Sequence, residues 1–317
     1  MAVIAGVDVG KASLDVSISE GPVIRFDNTV KGIGKLLKHL KAQDVTVAVC
    51  EATGGYERLL VSQLRKTEIA IHVAHPSRVR AFAKACGYEA KTDPRDAQVL
   101  SRYGQVFPDN RTPQRELEPD REALRDLLSR RRQFVRQRVQ EKSRLDKGIT
   151  SIAQRSTKRH IAWLEKEIAR LDVEYQETLE KCIPFADRAA LYRTVPGVGP
   201  LTSATLVAYL PELGCRDSKS LTSLVELAPW SRDSGKKRGS RAIRGGRGSV
   251  RSALYLCAWS AIRHNSELRR FYQRLRQRGK PGNVAVVAVM RKLLLQLNAV
   301  ARRGTPWIPK SVPIMSS

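Results

Sequence analysis

The chain has 317 residues, room for two or three domains, and its 42% hydrophobic content is that of an ordinary globular protein with a sizeable core. It carries 57 Lys and Arg against 31 Asp and Glu, a net charge of +26, with a pI near 10.4. A surplus that large points to nucleic acid as the partner in preference to a membrane surface. The five cysteines (Cys50, Cys86, Cys182, Cys215 and Cys257) are odd in number, scattered and without a Cys-x-x-Cys pair. That argues against a disulfide framework or a zinc site and for a reducing cytosol. The first apolar run ends at Asp8 with no basic stretch before it, so it does not read as a signal peptide. The apolar stretch Val284 to Val300 is interrupted by Arg291 and Lys292 and reads as too short to span a bilayer, so no membrane association is expected.

In chain order, Ala2–Val9, Leu14–Ile18 and Val23–Phe26 read as three strands whose short links favour antiparallel pairing. Ile33, Leu36, Leu37 and Leu40 mark a helix, and Val45–Cys50 a nearly continuous apolar strand. A helix over Tyr56–Arg65, a strand over Ile69–Ala74, and helices over Ser77–Ala85 and Pro94–Tyr103 follow. A three-strand meander and then helix–strand–helix–strand–helix is the order of a ribonuclease H-like fold. Residues 108–120, polar and with three prolines, suit a linker. From Arg121 to Lys147 there are ten basic residues against four acidic, with a thin seam of Leu124, Leu128, Val135 and Val139. Ile161, Leu164, Ile168, Leu171 and Tyr175 then recur at steps of three and four. This spacing fits a short coiled coil or helical hairpin, with self-association, and equally an amphipathic helix packed within one chain. The last third reads as helical, with a turn and helix over Arg193–Pro211, a Gly/Arg-rich loop over Ser231–Gly248, and helices over Val250–His264 and Asn283–Arg302. The expected class is therefore α/β plus α. An α/β domain spans residues 1–107, a linker with helical or coiled-coil region 108–188, and a mainly helical domain 189–317. Charge is divided unevenly: net +4 over residues 1–108 and net +22 over the rest.

Four carboxylates stand out. Asp8 lies in the first strand, Glu51 closes the apolar strand before it, and Asp93 and Asp96 flank Pro94. Proline favours the first helical position, so Asp93 reads as the N-cap and Asp96 as the third helical residue. Taken alone, Thr-Asp-Pro-Arg-Asp suits a helix cap and Asp8 a turn. Glu51 is harder to explain that way, because a carboxylate ending an apolar strand sits where open sheets place active sites. Oxygen ligands from two strand ends and one helix suit Mg²⁺ or Mn²⁺ and the chemistry of a phosphodiester. The motifs Gly6-Val7-Asp8-Val9-Gly10-Lys11, Glu51-Ala52-Thr53-Gly54-Gly55-Tyr56 and Lys91-Thr92-Asp93-Pro94-Arg95-Asp96-Ala97 resemble those of the DEDD insertion-sequence transposases, the IS110 family, which includes the Piv/MooV invertases. The resemblance implies a RuvC-like domain with Asp8, Glu51, Asp93 and Asp96 as its metal-binding tetrad.

In the basic half, the Pro-Gly-Val-Gly-Pro turn at 196–200 looks like part of a helix-hairpin-helix element. There Gly197 and Gly199 would let backbone N–H groups approach a DNA phosphate at a helix N-terminus. Between Ser231 and Ser252 lie eight Lys/Arg, one acid and five glycines, a composition suited to wrapping a phosphate backbone. Lys236, Lys237, Arg238, Arg241, Arg244, Arg247 and Arg251 are its candidate nucleic-acid contacts. Composition does not choose a nucleophile among Ser231, Ser234, Ser240, Ser249 and Ser252. The run Asp233-Ser234-Gly235-Lys236, followed by Gly245-Gly246-Arg247 and Arg251-Ser252-Ala253-Leu254-Tyr255, resembles the family's C-terminal transposase domain, and Ser234 matches its catalytic serine. What the resemblance implies is a DNA recombinase joining strands through a covalent phosphoserine. It implies donor and target double-stranded DNA, a structured (bridge-type) guide RNA, a dimeric or tetrameric assembly, and a bacterial or archaeal cytosol. Two other readings of the residues remain: a metal-dependent junction nuclease with water as nucleophile, and a non-catalytic DNA-binding protein.

Overall fold

The computed structural model describes residues 2–88, 93–108, 119–148, 150–227 and 246–309, without the side chains of Asp93 and Pro94. The chain divides into two units, Met1–Glu118 and Pro119–Ser317. Most of the expected linker at 108–120 lies outside the described residues.

The first unit runs β1 (Val3–Val9), β2 (Ser13–Ile18), β3 (Val23–Asp27), α1 (Val30–Ala42), β4 (Val45–Glu51), α2 (Arg58–Leu64), β5 (Ala70–Ala74), α3 (Pro76–Ala85) and α4 (Asp93–Val106). Its strands form one sheet in the order β3-β2-β1-β4-β5. The meander β1–β2–β3 is antiparallel, while β4 and β5 join in parallel. Successive side chains on a strand face opposite ways, and both faces of this sheet are covered. Ala5, Val7, Val9, Leu14, Val16, Ala48 and Cys50 pack under α1 and α2. Ile4, Val47 and Val49 pack on the other face with Val79 of α3 and Val99, Leu100 and Tyr103 of α4. Strands buried on both faces read as apolar runs rather than alternating ones, which is what Val45–Cys50 shows.

Two glycines let α4 lie close to the sheet. A Cβ at Gly6 would fall 2.0 Å from the Ala97 carbonyl oxygen and 2.3 Å from the Ser101 nitrogen. A Cβ at Gly104 would meet Val49 Cγ2 at 2.6 Å and Ile4 Cγ2 at 2.8 Å. Ser101 Oγ, fully buried, donates to the Ile4 carbonyl at 3.0 Å and accepts from the Glu20 amide at 3.3 Å, fastening helix, strand and the β2–β3 turn together. Residues 97 and 101 thus sit over Gly6 and residue 104 over Ile4. Moving down the helix means moving back along β1, so the first turn of α4 lies toward the end of β1 that carries Asp8.

The second unit is helical: α5 (Pro119–Leu145), α6 (Ser151–Lys181), α7 (Ile183–Arg193), α8 (Pro200–Tyr209), α9 (Ser218–Val225), α10 (Gly248–His264), α11 (Ser266–Gln277) and α12 (Gly282–Arg303). Helices α5 and α6 form a hairpin. Leu164, Ile168 and Leu171 close on Phe134, and Tyr175 and Leu179 enter the main core with Leu124 and Leu128. Arg131 of α5 grips Asp172 of α6 through two bonds of 2.5 and 3.0 Å. The seam from Ile161 to Tyr175 is therefore spent inside one chain, which removes the physical ground for reading it as a surface of self-association. Helix α12 matches the helix expected over Asn283–Arg302 to within a residue at each end, and with 22 residues it is long and apolar enough by length and composition to cross a membrane. The expectation that this segment is too short to span a bilayer is corrected on length and composition alone. Its Val286, Val289, Leu293, Leu294, Leu297 and Val300 are fully buried in the core of the unit.

Candidate functional site

β1 and β4 are parallel neighbours with Val7 opposite Cys50, so the next residues, Asp8 and Glu51, stand at adjacent strand ends. Neighbouring strands lie about 4.7–4.9 Å apart. Asp8 shares its face with Gly6 and Ile4, and Glu51 with Val49 and Val47; both belong to the face that α4 covers. The first turn of α4 returns over this same end, bringing Asp96 beside the residue, Ala97, that seats on Gly6. The sheet and one helix thus gather Asp8, Glu51 and Asp96 at a single edge. All three are half-buried, and each already engages a partner within the protein. Asp93 opens α4, with its side chain outside the described set. Among the described residues no group of three or more His, Cys, Asp or Glu has the closeness of a ready-made metal cage. The donors are nonetheless of the kind hard divalent cations take: carboxylate oxygens on two strand ends and a helix N-terminus.

A fourth carboxylate on this face was not anticipated. Asp15 of β2 is the cross-strand partner of Asp8 and is 6% exposed. Arg25, its own partner on β3, holds it through Nε to Oδ1 at 2.7 Å and Nη2 to Oδ2 at 2.8 Å. A row Arg25–Asp15–Asp8–Glu51 crosses four strands, and the arginine neutralises the acid nearest Asp8. An isolated Asp in an alternating strand resembles a solvent-facing residue. The hairpin register set by the three-residue link between β1 and β2 is the signal that places it opposite Asp8.

The loop after Glu51 is built around Glu57. Its Oε2 accepts from the amide and hydroxyl of Thr53, both at 3.1 Å, and from the Gly55 amide at 2.8 Å. Gly54 and Gly55 have φ of 75° and 125°, which side-chain-bearing residues rarely adopt, and this accounts for the Thr-Gly-Gly-Tyr spacing. Burial pushes the Glu57 pKa up, but the hydrogen bonds from its own backbone, Gly55 and Thr53 outweigh it and hold the carboxyl below its usual range. Asn28 Nδ2 donates to the Gly10 carbonyl at 2.9 Å and to the Tyr56 carbonyl at 3.2 Å, tying the β1–β2 and β4–α2 links at the same sheet edge. Burial, with Glu57 and Glu51 adding negative charge, pushes the neighbouring Cys50 thiol up to about 12. Cys50 is therefore a neutral core residue rather than a thiolate ligand.

In the second unit, a turn between α7 and α8 stands where the helix-hairpin-helix element was expected. Gly197 has φ of 97°, and a Cβ there would lie 2.5 Å from Ala261 Cα in α10; its carbonyl accepts from Cys257 Sγ at 3.1 Å. The need for glycine at this position arises from packing inside the unit. Gly199 is the N-cap of α8 with open space where a Cβ would sit and no side-chain cap. That helix start presents backbone N–H groups, whose partial positive charge suits an anion. Arg247 is committed internally: it forks onto Glu212 at 2.5 and 2.7 Å and donates to the Tyr209 carbonyl at 2.7 Å. Arg251 is half-buried and borders a surface groove. Ser234, Lys236, Lys237, Arg238, Arg241 and Arg244 lie outside the described residues.

Comparison with known proteins adds to this geometry. Residues 5–153 match a DEDD transposase model of the IS110 type, and residues 189–273 match the model described as transposase, IS116/IS110/IS902 family. Together they account for about three quarters of the chain. The chain is 27% identical over 315 residues to the pilin gene-inverting protein of Moraxella lacunata, covering 95% of this chain and 96% of that protein. It is likewise 27% identical over 314 residues to the pilin gene-inverting protein of Moraxella bovis, with the same coverage. A shorter likeness, 32% over 114 residues, covers 35% of this chain and 28% of an insertion element IS110 protein of Streptomyces coelicolor.

Proposed function

The chain belongs to the IS110/IS116/IS902 family of transposases, and from that premise we propose that it is a DNA recombinase whose carboxylate edge and Ser234 together cut and rejoin strands. The observation that carries the reading is the gathering of Asp8, Glu51 and the first turn of α4 at one end of a sheet ordered β3-β2-β1-β4-β5. That strand order, with an antiparallel meander and two parallel strands, supports a ribonuclease H-like, RuvC-like domain. Asp8, Glu51, Asp93 and Asp96 would hold Mg²⁺ or Mn²⁺, which when bound supplies a Lewis acid for a scissile phosphate.

Ser234 acts as nucleophile in this reading. Its Oγ forms a bond to phosphorus as the bond from phosphorus to the DNA leaving oxygen breaks. The serine proton goes to a carboxylate, and the departing oxygen takes up a proton. One phosphodiester replaces another, so a DNA hydroxyl attacking the phosphoserine can rejoin strands without an external energy source. Lys236, Lys237, Arg238, Arg241, Arg244 and Arg251, with the α8 N-terminus at Gly199, neutralise phosphate charge. The likeness to two pilin gene-inverting proteins supports DNA inversion as one outcome of this chemistry. Family resemblance extends the reading to a structured guide RNA pairing with donor and target DNA, and to a multimeric complex.

The test is a denaturing gel of the protein incubated with its DNA and Mg²⁺. A covalent protein–DNA adduct is expected from wild type, none from Ser234→Ala, and neither adduct nor cleavage from Asp8→Asn. Cleavage left intact in Ser234→Ala with no adduct in wild type would replace the recombinase with a water-using nuclease. Binding without strand cleavage in any metal would leave only a DNA-binding protein.

A further inference from the structure

The groove on the second unit beside Arg251 has a chemistry that phosphate gripping does not use. Arg251, Ser252, Tyr255 and Leu256 of α10 line it with Val287 and Met290 of α12, around a cavity of about 480 Å³. Arg251, Tyr255 and Trp259 recur every four residues and so share one helix face, about 5–6 Å apart at each step. Tyr255 is 42% exposed, Leu256 68% and Trp259 39%. The Trp259 ring meets Tyr255 edge-on at 6.4 Å between centroids, and Tyr272 of α11 at 6.2 Å. Edge-on packing fixes the rings in place without stacking their faces on each other. Aromatic rings held half out of the core next to a guanidinium are costly to leave in water and unsuited to a phosphate backbone alone.

The charge of this region selects the occupant. From Gly248 to Arg303 the chain has twelve Lys and Arg and one acid, Glu267. That glutamate is engaged by Lys292 Nζ at 2.8 Å and Gln296 Nε2 at 3.0 Å. A second copy of this chain would bring an equally basic surface against it. A strand of nucleic acid brings anionic phosphates to the arginines and flat apolar bases to the rings. In a duplex those base faces are hidden by stacking, whereas an unpaired strand exposes them, and stacking on aromatic side chains tolerates any sequence. Resting on the reading of the protein as a DNA recombinase, we infer that the Arg251–Tyr255–Trp259 face holds unpaired bases of a single DNA strand opened near the point of exchange.

The experiment uses the full chain and a labelled oligonucleotide supplied as single-stranded DNA, as single-stranded RNA and as duplex DNA at one salt concentration. Tyr255→Ala and Trp259→Ala are each expected to weaken single-stranded DNA binding about ten-fold or more, while duplex affinity stays within about two-fold. Tyr255→Phe and Trp259→Phe, which keep a ring, retain binding. Trp259 also packs on Tyr272, so if Trp259→Ala does not fold, Tyr255→Ala and the more exposed Leu256→Ala carry the test. Unchanged single-strand affinity, or an equal loss on duplex, overturns the inference. A loss confined to RNA assigns the face to RNA and overturns it as well. A fall to a smaller species in sedimentation velocity on Tyr255→Ala shows that a second copy covers the face and does the same. Wild type failing to bind duplex DNA counts against the recombinase reading itself, a result separable from all of these.

Discussion

Gly6 is the position where the smallest change has the largest expected effect. A methyl group there would overlap the Ala97 carbonyl, backbone that cannot rotate away. Gly6→Ala is expected to force α4 off β1, lowering stability by about 1–3 kcal/mol or more. Activity should suffer further, because the first turn of α4 carries Asp96 toward Asp8. Urea denaturation measures the first effect, and strand cleavage per folded molecule the second; a variant of full stability and activity would refute the seating. Asp15 and Arg25 show why residue-level reading from sequence stops short. Their pairing depends on strand register, and register follows from the four-residue link between β2 and β3 and from burial on the α4 face, neither of which belongs to one position. Gly197 makes the same point. Its turn was legible, but the neighbour that demands glycine is Ala261, sixty-four positions away.

The helical hairpin of α5 and α6 gives the prediction at the scale of elements. Leu164 is fully buried against Phe134, so Leu164→Ala should cost about 2–5 kcal/mol by thermal or urea unfolding. Since the seam closes within one chain, the same variant should leave the association state in sedimentation velocity unchanged while it remains folded. A loss of assembly at full stability would return the seam to the role of an interface. The elements of the first unit were legible because each has a local signature: apolar runs for β1 and β4, and Pro94 for the start of α4. The heptad-like spacing of α6 was equally legible, but spacing names the face of a helix and not what lies against it. Helix α12 was legible to within a residue at each end, and Arg291 and Lys292 are accommodated in it because they leave the buried face to Met290 and Leu293 on either side. The carboxylate edge was readable as a set of acids at strand ends. Its support by Glu57, Asn28 and Asp15 was not, since each acts through hydrogen bonds across separate links.

For the molecule as a whole, charge is the governing quantity. The first 108 residues hold net +4 and the remainder net +22. A protein that neutralises about 6–10 phosphates loses roughly 10³–10⁵-fold in affinity between about 50 and 200 mM salt. Filter binding of duplex DNA across that range is expected to show a slope of this size, and a flat response would mean that the basic surplus does not grip the backbone. Some of the 57 cations are paired within the protein: Arg247 with Glu212, Arg131 with Asp172, and Arg25 with Asp15. The gross count of Lys and Arg therefore overstates the cations open to DNA, the net charge has these pairs already deducted, and the measured slope counts the cations that grip phosphate.

The seat of α4 has a bearing on how freely such a protein can change over time. Where the helix crosses β1, main chain rests on main chain, and no rotamer intervenes that a neighbour could displace. Exchanges among the aliphatic residues of the opposite face, such as Met for Leu in α1, alter how the interior fills without moving the contact at Gly6. The carboxylate edge is in this way insulated from drift in its own core, and its vulnerability is concentrated at Gly6, where nothing larger than hydrogen fits against main chain.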